Sequence, residues 1–277
     1  MIDFHTHVFS PYAREHRNDL AKTDPFFSFV YADQGERMAG VEELLAAMEE
    51  GGVQQSVVCG SPWKETELVR RENDYLLESA HKYPGQIIPF ITLPQDEGAA
   101  IAELERCSAA GARGVGELAP GTYGDRLWPI ARMQPLFAAI REKGLPALIH
   151  VNEPVGHPYA GKGRVGLTEI EALVNALQGI PTVLAHWGGG FFFYELMPEI
   201  AALCREVYYD TAASPFLYHK KIYTTAVAII GSDRVVFGSD YPLIPAQRYR
   251  HEIEEAGLTE EEQAAILSLN AQRLLKY

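Results

Sequence analysis

The chain has 277 residues, nearly half of them apolar, a globular composition with ample material for a large core. Its 37 acidic side chains against 24 basic ones give a net charge of −13, which argues against nucleic-acid binding through a basic surface. No apolar run approaches the roughly 18 residues of a membrane span, so no membrane partner is expected.

The first predicted strand, Ile2 to His7, begins so early that it leaves no room for a secretory leader. Side chains alternate along a strand, so Asp3, His5 and His7 are expected on one face and Ile2, Phe4 and Val8 on the other. Two imidazoles side by side on one face can chelate one divalent ion. The stretch from Phe9 to Gly40 is long for a connection and predicts a lid or extra local helices. Further strands are expected at Gln55 to Cys59, Ile87 to Thr92, Gly114 to Leu118, Ala147 to Val151, Thr182 to His186, Val207 to Thr211 and Val235 to Asp240. Several are unbroken apolar runs, as parallel strands buried on both faces require. Helical spacing marks Val41 to Glu50, Glu72 to Tyr83, Ala99 to Ala110, Met133 to Lys143, Thr168 to Leu177, Tyr194 to Cys204 and Lys220 to Ile230. A last helix, Thr259 to Lys276, opens on a capping box of Thr259 and Glu262.

Strands alternating with helices predict the α/β class and a (β/α)8 TIM barrel with a long β1–α1 loop. An open doubly wound sheet is the alternative, weakened by the lack of a glycine-rich dinucleotide turn after the first strand. No linker or repeat divides the chain, so residues 1–277 read as one domain. Cys59, Cys107 and Cys204 show no CxxC spacing and fit a reducing, cytoplasmic setting.

The polar residues at the strand ends carry the chemistry. His5 and His7 end the first strand, Glu117 the fourth, His150 the fifth, His186 the sixth and Asp240 the eighth. A barrel gathers such residues at one face, where nitrogen and carboxylate donors suit zinc or a similar ion. Each alone also reads as an ordinary structural residue; the joint occurrence at five strand ends favours a site. For a small anionic substrate, Lys162 and Arg164 are candidate grips in the loop after His150, with His157 a weaker candidate proton carrier. Tyr123 and Trp128 are candidate walls. Arg14, His16 and Arg17, with Phe26, Phe27, Phe29 and Tyr31, are candidate lid residues, with Arg14 or Arg17 a further candidate grip on the anionic substrate, although the aromatic cluster serves equally as packing or as a homo-oligomer surface.

The ordered set Asp3-x-His5-x-His7, His150, His186-Trp187-Gly188-Gly189 and Gly238-Ser239-Asp240-Tyr241-Pro242 resembles the amidohydrolase superfamily, specifically its amidohydrolase-2 type of metal-dependent hydrolases, over essentially the whole chain. The resemblance implies His5, His7, His150 and Asp240 as ligands, with His186 binding a second metal or acting on the substrate. Glu117 stands where many binuclear members carry a carboxylated lysine; it resembles the TatD-type deoxyribonucleases and implies a bridge between two ions. The aminocarboxymuconate-semialdehyde decarboxylase-like branch is similar in its histidines and final motif, but the resemblance there implies one metal and no acid at that place. Glu117 therefore tilts the expectation to hydrolysis. One or two ions, zinc or else manganese, would activate water against a small, anionic, amide- or ester-like substrate, with Asp240 moving the proton. Non-oxidative decarboxylation is the alternative, and a non-catalytic metal-binding barrel the third reading. Asp3 is expected to orient one imidazole from behind.

Overall fold

In the computed structural model, which describes residues 1–119, 130–163 and 165–276, eight strands lie in one sheet in sequence order. They are β1 (Ile2–His7), β2 (Gln55–Cys59), β3 (Ile87–Ile91), β4 (Gly114–Leu118), β5 (Ala147–Ile149), β6 (Thr182–Leu184), β7 (Val207–Asp210) and β8 (Val235–Val236). Each is parallel to the next. The last strand returns to the first: Phe4 N–H donates to Phe237 O at 2.8 Å, Asp240 N–H to His5 O at 2.8 Å and His7 N–H to Tyr241 O at 2.7 Å. With helices between the strands, this is the expected (β/α)8 barrel.

Alternate strand residues fill its interior. Phe4, Val57, Cys59, Ile88, Phe90, Leu148, Val183 and Val236 form one buried cluster, and their strand neighbours Val58, Ile87, Ile91, Val115, Ile149 and Val235 pack in the layer under the helices. Gly114 has no side chain because the Phe90 ring occupies that space, 2.4 Å from where a Cβ would stand. Ala271, Leu274 and Leu275 join the inner cluster. Leu275 O accepts from Arg113, the residue before β4, so the chain's last helix closes the barrel at its strand N-terminal end.

Strict alternation fails in β1. Its register against β2 slips by one residue between Asp3 and Thr6. The bulge allows both Phe4 and His5 to face inward, so Phe4 packs inside the barrel instead of opposite the histidines. A helix over Ala246–Glu255 was not expected; its buried residues Ala246, Tyr249 and Ile253 do have helical spacing, but the segment is otherwise charged. The final stretch has its capping box, with Glu262 N–H donating to Thr259 Oγ1 at 3.2 Å and Thr259 N–H to Glu262 Oε2 at 2.8 Å. It is interrupted by a π turn over Ala265–Leu269, where Ile266 O accepts from Phe237 N–H at 2.9 Å.

The long first connection holds three short helices, α1 (Pro11–Glu15), α2 (Arg17–Thr23) and α3 (Pro25–Tyr31). Proline at the first helical position, with a capping side chain before it, starts two of them. Ser10 Oγ accepts from Ala13 N–H, and Asp24 Oδ1 accepts from Phe26 N–H at 2.9 Å and Phe27 N–H at 3.1 Å. The other Asp24 oxygen takes Lys64 N–H at 2.8 Å, which ties the helices to the loop after β2. The three cysteines are buried and free. Among the described residues no helix is long and apolar enough to cross a membrane.

Candidate metal centre

The strand C-terminal ends bring the predicted donors together. Two triads, His5–His7–Asp240 and Glu117–His150–His186, each place their donor atoms within 4.8 Å of one another. The Nε2 atoms of His5 and His7 are 3.1 Å apart. Asp240 Oδ1 is 3.6 Å from His5 Nε2 and 3.5 Å from His7 Nε2. Glu117 lies between the triads: Oε1 is 2.9 Å from His150 Nδ1, 3.6 Å from His5 Nε2 and 3.7 Å from His186 Nε2, while Oε2 is 3.6 Å from His7 Nε2. Most of these separations are too long for good hydrogen bonds. Donors sharing an ion with bonds of about 2.1 Å stand roughly 3.0–3.4 Å apart, close to what is seen. His150 Nε2 is buried without a partner. Borderline nitrogens with hard carboxylates fit a divalent zinc or manganese ion.

Backbone strain and glycine clearance aim two of these groups. His186 begins a left-handed turn, with φ of 55° there and 58° at Trp187, continued by Gly188, Gly189 and Gly190. A Cβ on Gly189 would stand 2.3 Å from Asn152 O, so the turn fits against the β5 loop only with glycine. Trp187, fully buried, is held by Nε1–H donating to Ser214 Oγ at 2.7 Å. Asp240 also has a positive φ, 60°.

Behind these candidate donors stands a carboxylate that the sequence pattern does not single out. Asp210, at the end of β7, places Oδ2 2.8 Å from His5 Nδ1. Its Oδ1 accepts from His186 N–H at 2.7 Å and Ala212 N–H at 3.0 Å. The role expected of Asp3 falls here, because the bulge turns Asp3 elsewhere; its carboxylate accepts from the backbone N–H groups of His5 and Ser239.

Burial pulls the His5 imidazole towards neutrality, but the Glu117 and Asp210 carboxylates overcome it and hold His5 well above the ordinary histidine value. Burial and neighbouring His5 push His7 down. Against its own burial, His150 is raised by Glu117. Burial would raise Glu117, yet His150 and His5 keep it well below the carboxylate range. The cluster thus draws positive charge to its centre, the property a cation site needs.

A cavity of about 420 Å³ opens over this floor. His7, Glu117, His150, His186 and Asp240 form its base, and Phe26, Phe27, Tyr31, Phe216, Leu217 and Leu243 much of its wall. His157 and Tyr159 line one side. Several expected substrate grips are not brought there. Arg14 pairs with Glu43 at 2.6 Å. Arg17 donates to the carbonyls of Tyr31 and Asp33. Lys162 Nζ is taken up by its own loop, at 2.5 Å from Val155 O and 3.0 Å from His157 O. Tyr123, Trp128 and Arg164 lie outside the described residues. Among the described residues, Arg37 is the one arginine or lysine lining the cavity. No local pattern in the sequence distinguishes it from Arg14 or Arg17.

The chain is 25% identical over 280 residues to the γ-resorcylate decarboxylase of Rhizobium sp. (strain MTP-10005), covering 86% of this chain and 84% of that protein. Its fold matches 5-carboxyvanillate decarboxylase from Sphingomonas paucimobilis with a TM-score of 0.79 at 18% identity, over 100% of this chain and 98% of the other. It also matches a dihydroxybenzoic acid decarboxylase from Polaromonas sp. JS666, solved with manganese and the inhibitor 2-nitroresorcinol, with a TM-score of 0.77 at 20% identity over 99% and 96% of the two chains. The two solved structures show the shared barrel fold, and the name of the Rhizobium relative sides with the decarboxylase alternative over the expected hydrolysis. The amidohydrolase family description (Amidohydro_2) matches residues 2–277, so the chain belongs to the amidohydrolase family.

Proposed function

We propose that the protein is a metal-dependent, non-oxidative decarboxylase of a small aromatic carboxylic acid. The observation that carries this reading is the division of the cavity into an apolar, aromatic wall and a floor of metal-ligand side chains. A flat ring fits the wall while its carboxylate faces the floor. Relatives named as γ-resorcylate decarboxylases support the reaction type.

His5, His7 and Asp240 would hold a divalent ion, zinc or manganese, with His150 or Glu117 completing the set. Such an ion would supply a fixed positive charge to bind the substrate's acidic oxygens and orient the ring over the floor. Asp240 faces the cavity and passes a proton to the ring carbon that bears the carboxylate. The bond from that carbon to the carboxylate then breaks, its electron pair returns to the ring, and carbon dioxide leaves. His186 stands across the floor as the second proton-handling group. Phe26, Phe27, Phe216 and Leu217 line the wall against which the ring packs.

Glu117 favours a second reading. Its position between two triads suits a bridge between two ions, and so hydrolysis of an ester or amide. Carbon dioxide release from 2,6-dihydroxybenzoate or related phenolic acids by zinc- or manganese-loaded protein, lost on chelation, is the expected result. No release, together with ester or amide hydrolysis and two ions per chain falling to one in Glu117→Ala, would establish the hydrolase instead.

A further inference from the structure

Asp210 is fully buried and makes two contacts with the centre, yet it does not line the cavity. One oxygen meets a side chain of the first triad, His5 Nδ1. The other meets the backbone of the second, His186 N–H, and also Ala212 N–H. The surrounding packing is built around this pair. A Cβ on Gly238 would stand 2.8 Å from His5 Cβ and 3.4 Å from both Cβ and Cγ of Asp210. Thr211 Oγ1 donates to Gly238 O at 2.9 Å and accepts from Gly238 N–H at 3.1 Å, which fixes the end of β7 against the segment after β8.

A neutral imidazole has one N–H and one lone pair, and a metal takes the lone pair. Both backbone amides donate to Asp210 Oδ1, and its second oxygen accepts from His5 Nδ1–H. That leaves the lone pair on His5 Nε2, the atom 3.1 Å from His7 Nε2. The same carboxylate tethers the first residue of the left-handed turn, and so the direction from which the His186 ring enters the floor.

We propose that Asp210 is the positioning residue of this centre, selecting Nε2 as the ligand atom of His5 and anchoring His186 by its backbone. This rests on the site holding a divalent ion, and not on which reaction the ion serves. Asp210→Asn separates the two functions. The amide oxygen still accepts from His186 and Ala212, but its NH2 group now faces His5 Nδ1. His5 must then accept at Nδ1 and carry its hydrogen on Nε2, where the metal lone pair was.

Zinc affinity, measured by competition with a chromophoric chelator, is expected to fall about 10- to 100-fold in Asp210→Asn while the metal-free protein melts close to wild type. A purely structural carboxylate would lower the melting temperature and leave the affinity of the folded protein unchanged, which would overturn the proposal. Wild-type protein tests it independently of any variant. Loaded with ¹¹³Cd and labelled with ¹⁵N-histidine, it should show metal coupling to His5 Nε2; coupling to Nδ1 would overturn the assignment. Wild-type protein that takes up neither zinc nor cadmium would overturn the metal reading itself, an outcome distinct from a variant that binds as tightly as wild type.

Discussion

The floor of the cavity takes its donors from five strand ends, whereas much of the roof comes from α3 and the segments around Arg37, Tyr159, Phe216 and Leu243. The floor is held by backbone and carboxylate bonds so firmly that His186 and Asp240 keep left-handed conformations, each at a cost of about 1–3 kcal/mol. Residues 8–40 of the roof contain no such non-glycine residue. Their aromatic rings pack instead: Phe27 lies on Trp63, with centroids 5.1 Å apart and planes 14° from parallel, and its other neighbours include Phe9 and Tyr31. Chemistry therefore rests where the barrel is over-determined, and selectivity where a few anchors hold short helices that tolerate change.

Removing the Asp240 carboxyl tests the floor hardest. Asp240→Asn should lower kcat about 10²- to 10⁴-fold for the decarboxylation reading, with reduced metal content by elemental analysis. A rise in KM with kcat kept would give Asp240 a binding role like that of the roof, and the division would break. For the roof, Phe27→Ala is the matching change. A fully buried ring stacked on Trp63 is lost, so stability should fall by about 3–5 kcal/mol in urea titration. KM should rise more than kcat falls; an equal fall in kcat and kcat/KM would place the wall in the chemistry.

The two regions also differ in how far the sequence reveals them. His150, His186 and Asp240 follow apolar strand runs, so an unbroken apolar run and its end are enough to find them. Asp210 ends the run Val207-Tyr208-Tyr209 in the same manner, and reading every strand end alike would have included it. The β1 bulge defeats simple alternation, because one extra residue exchanges the faces and no residue type marks it. In the roof, short helices give no stable periodicity. Whether Arg14, Arg17 or Arg37 meets the cavity is decided by which carboxylate or carbonyl intercepts each guanidinium, and those partners lie far along the chain or across turns.

The smallest expected effect concerns the roof's attachment. Glu72, on the helix Thr66–Lys82, is buried and accepts from Ser10 Oγ at 2.6 Å and Ser10 N–H at 3.0 Å, fixing the start of α1. Burial raises its carboxyl above the ordinary 4.5, against the lowering effect of the Ser10 bonds. A folded-state value above the unfolded one means that the native state binds the proton more tightly. The stabilisation is therefore fully present below 4.5 and lost as pH rises through the folded value. In Glu72→Gln the amide still accepts from Ser10 N–H and donates to the hydroxyl oxygen, so the anchor stays while the titration goes. Urea midpoints across mildly acid pH should fall with rising pH more steeply in wild type than in this variant. Equal slopes would mean that Glu72 remains ionised without cost in its buried place, and that the roof is anchored by a charge as firmly as the floor is.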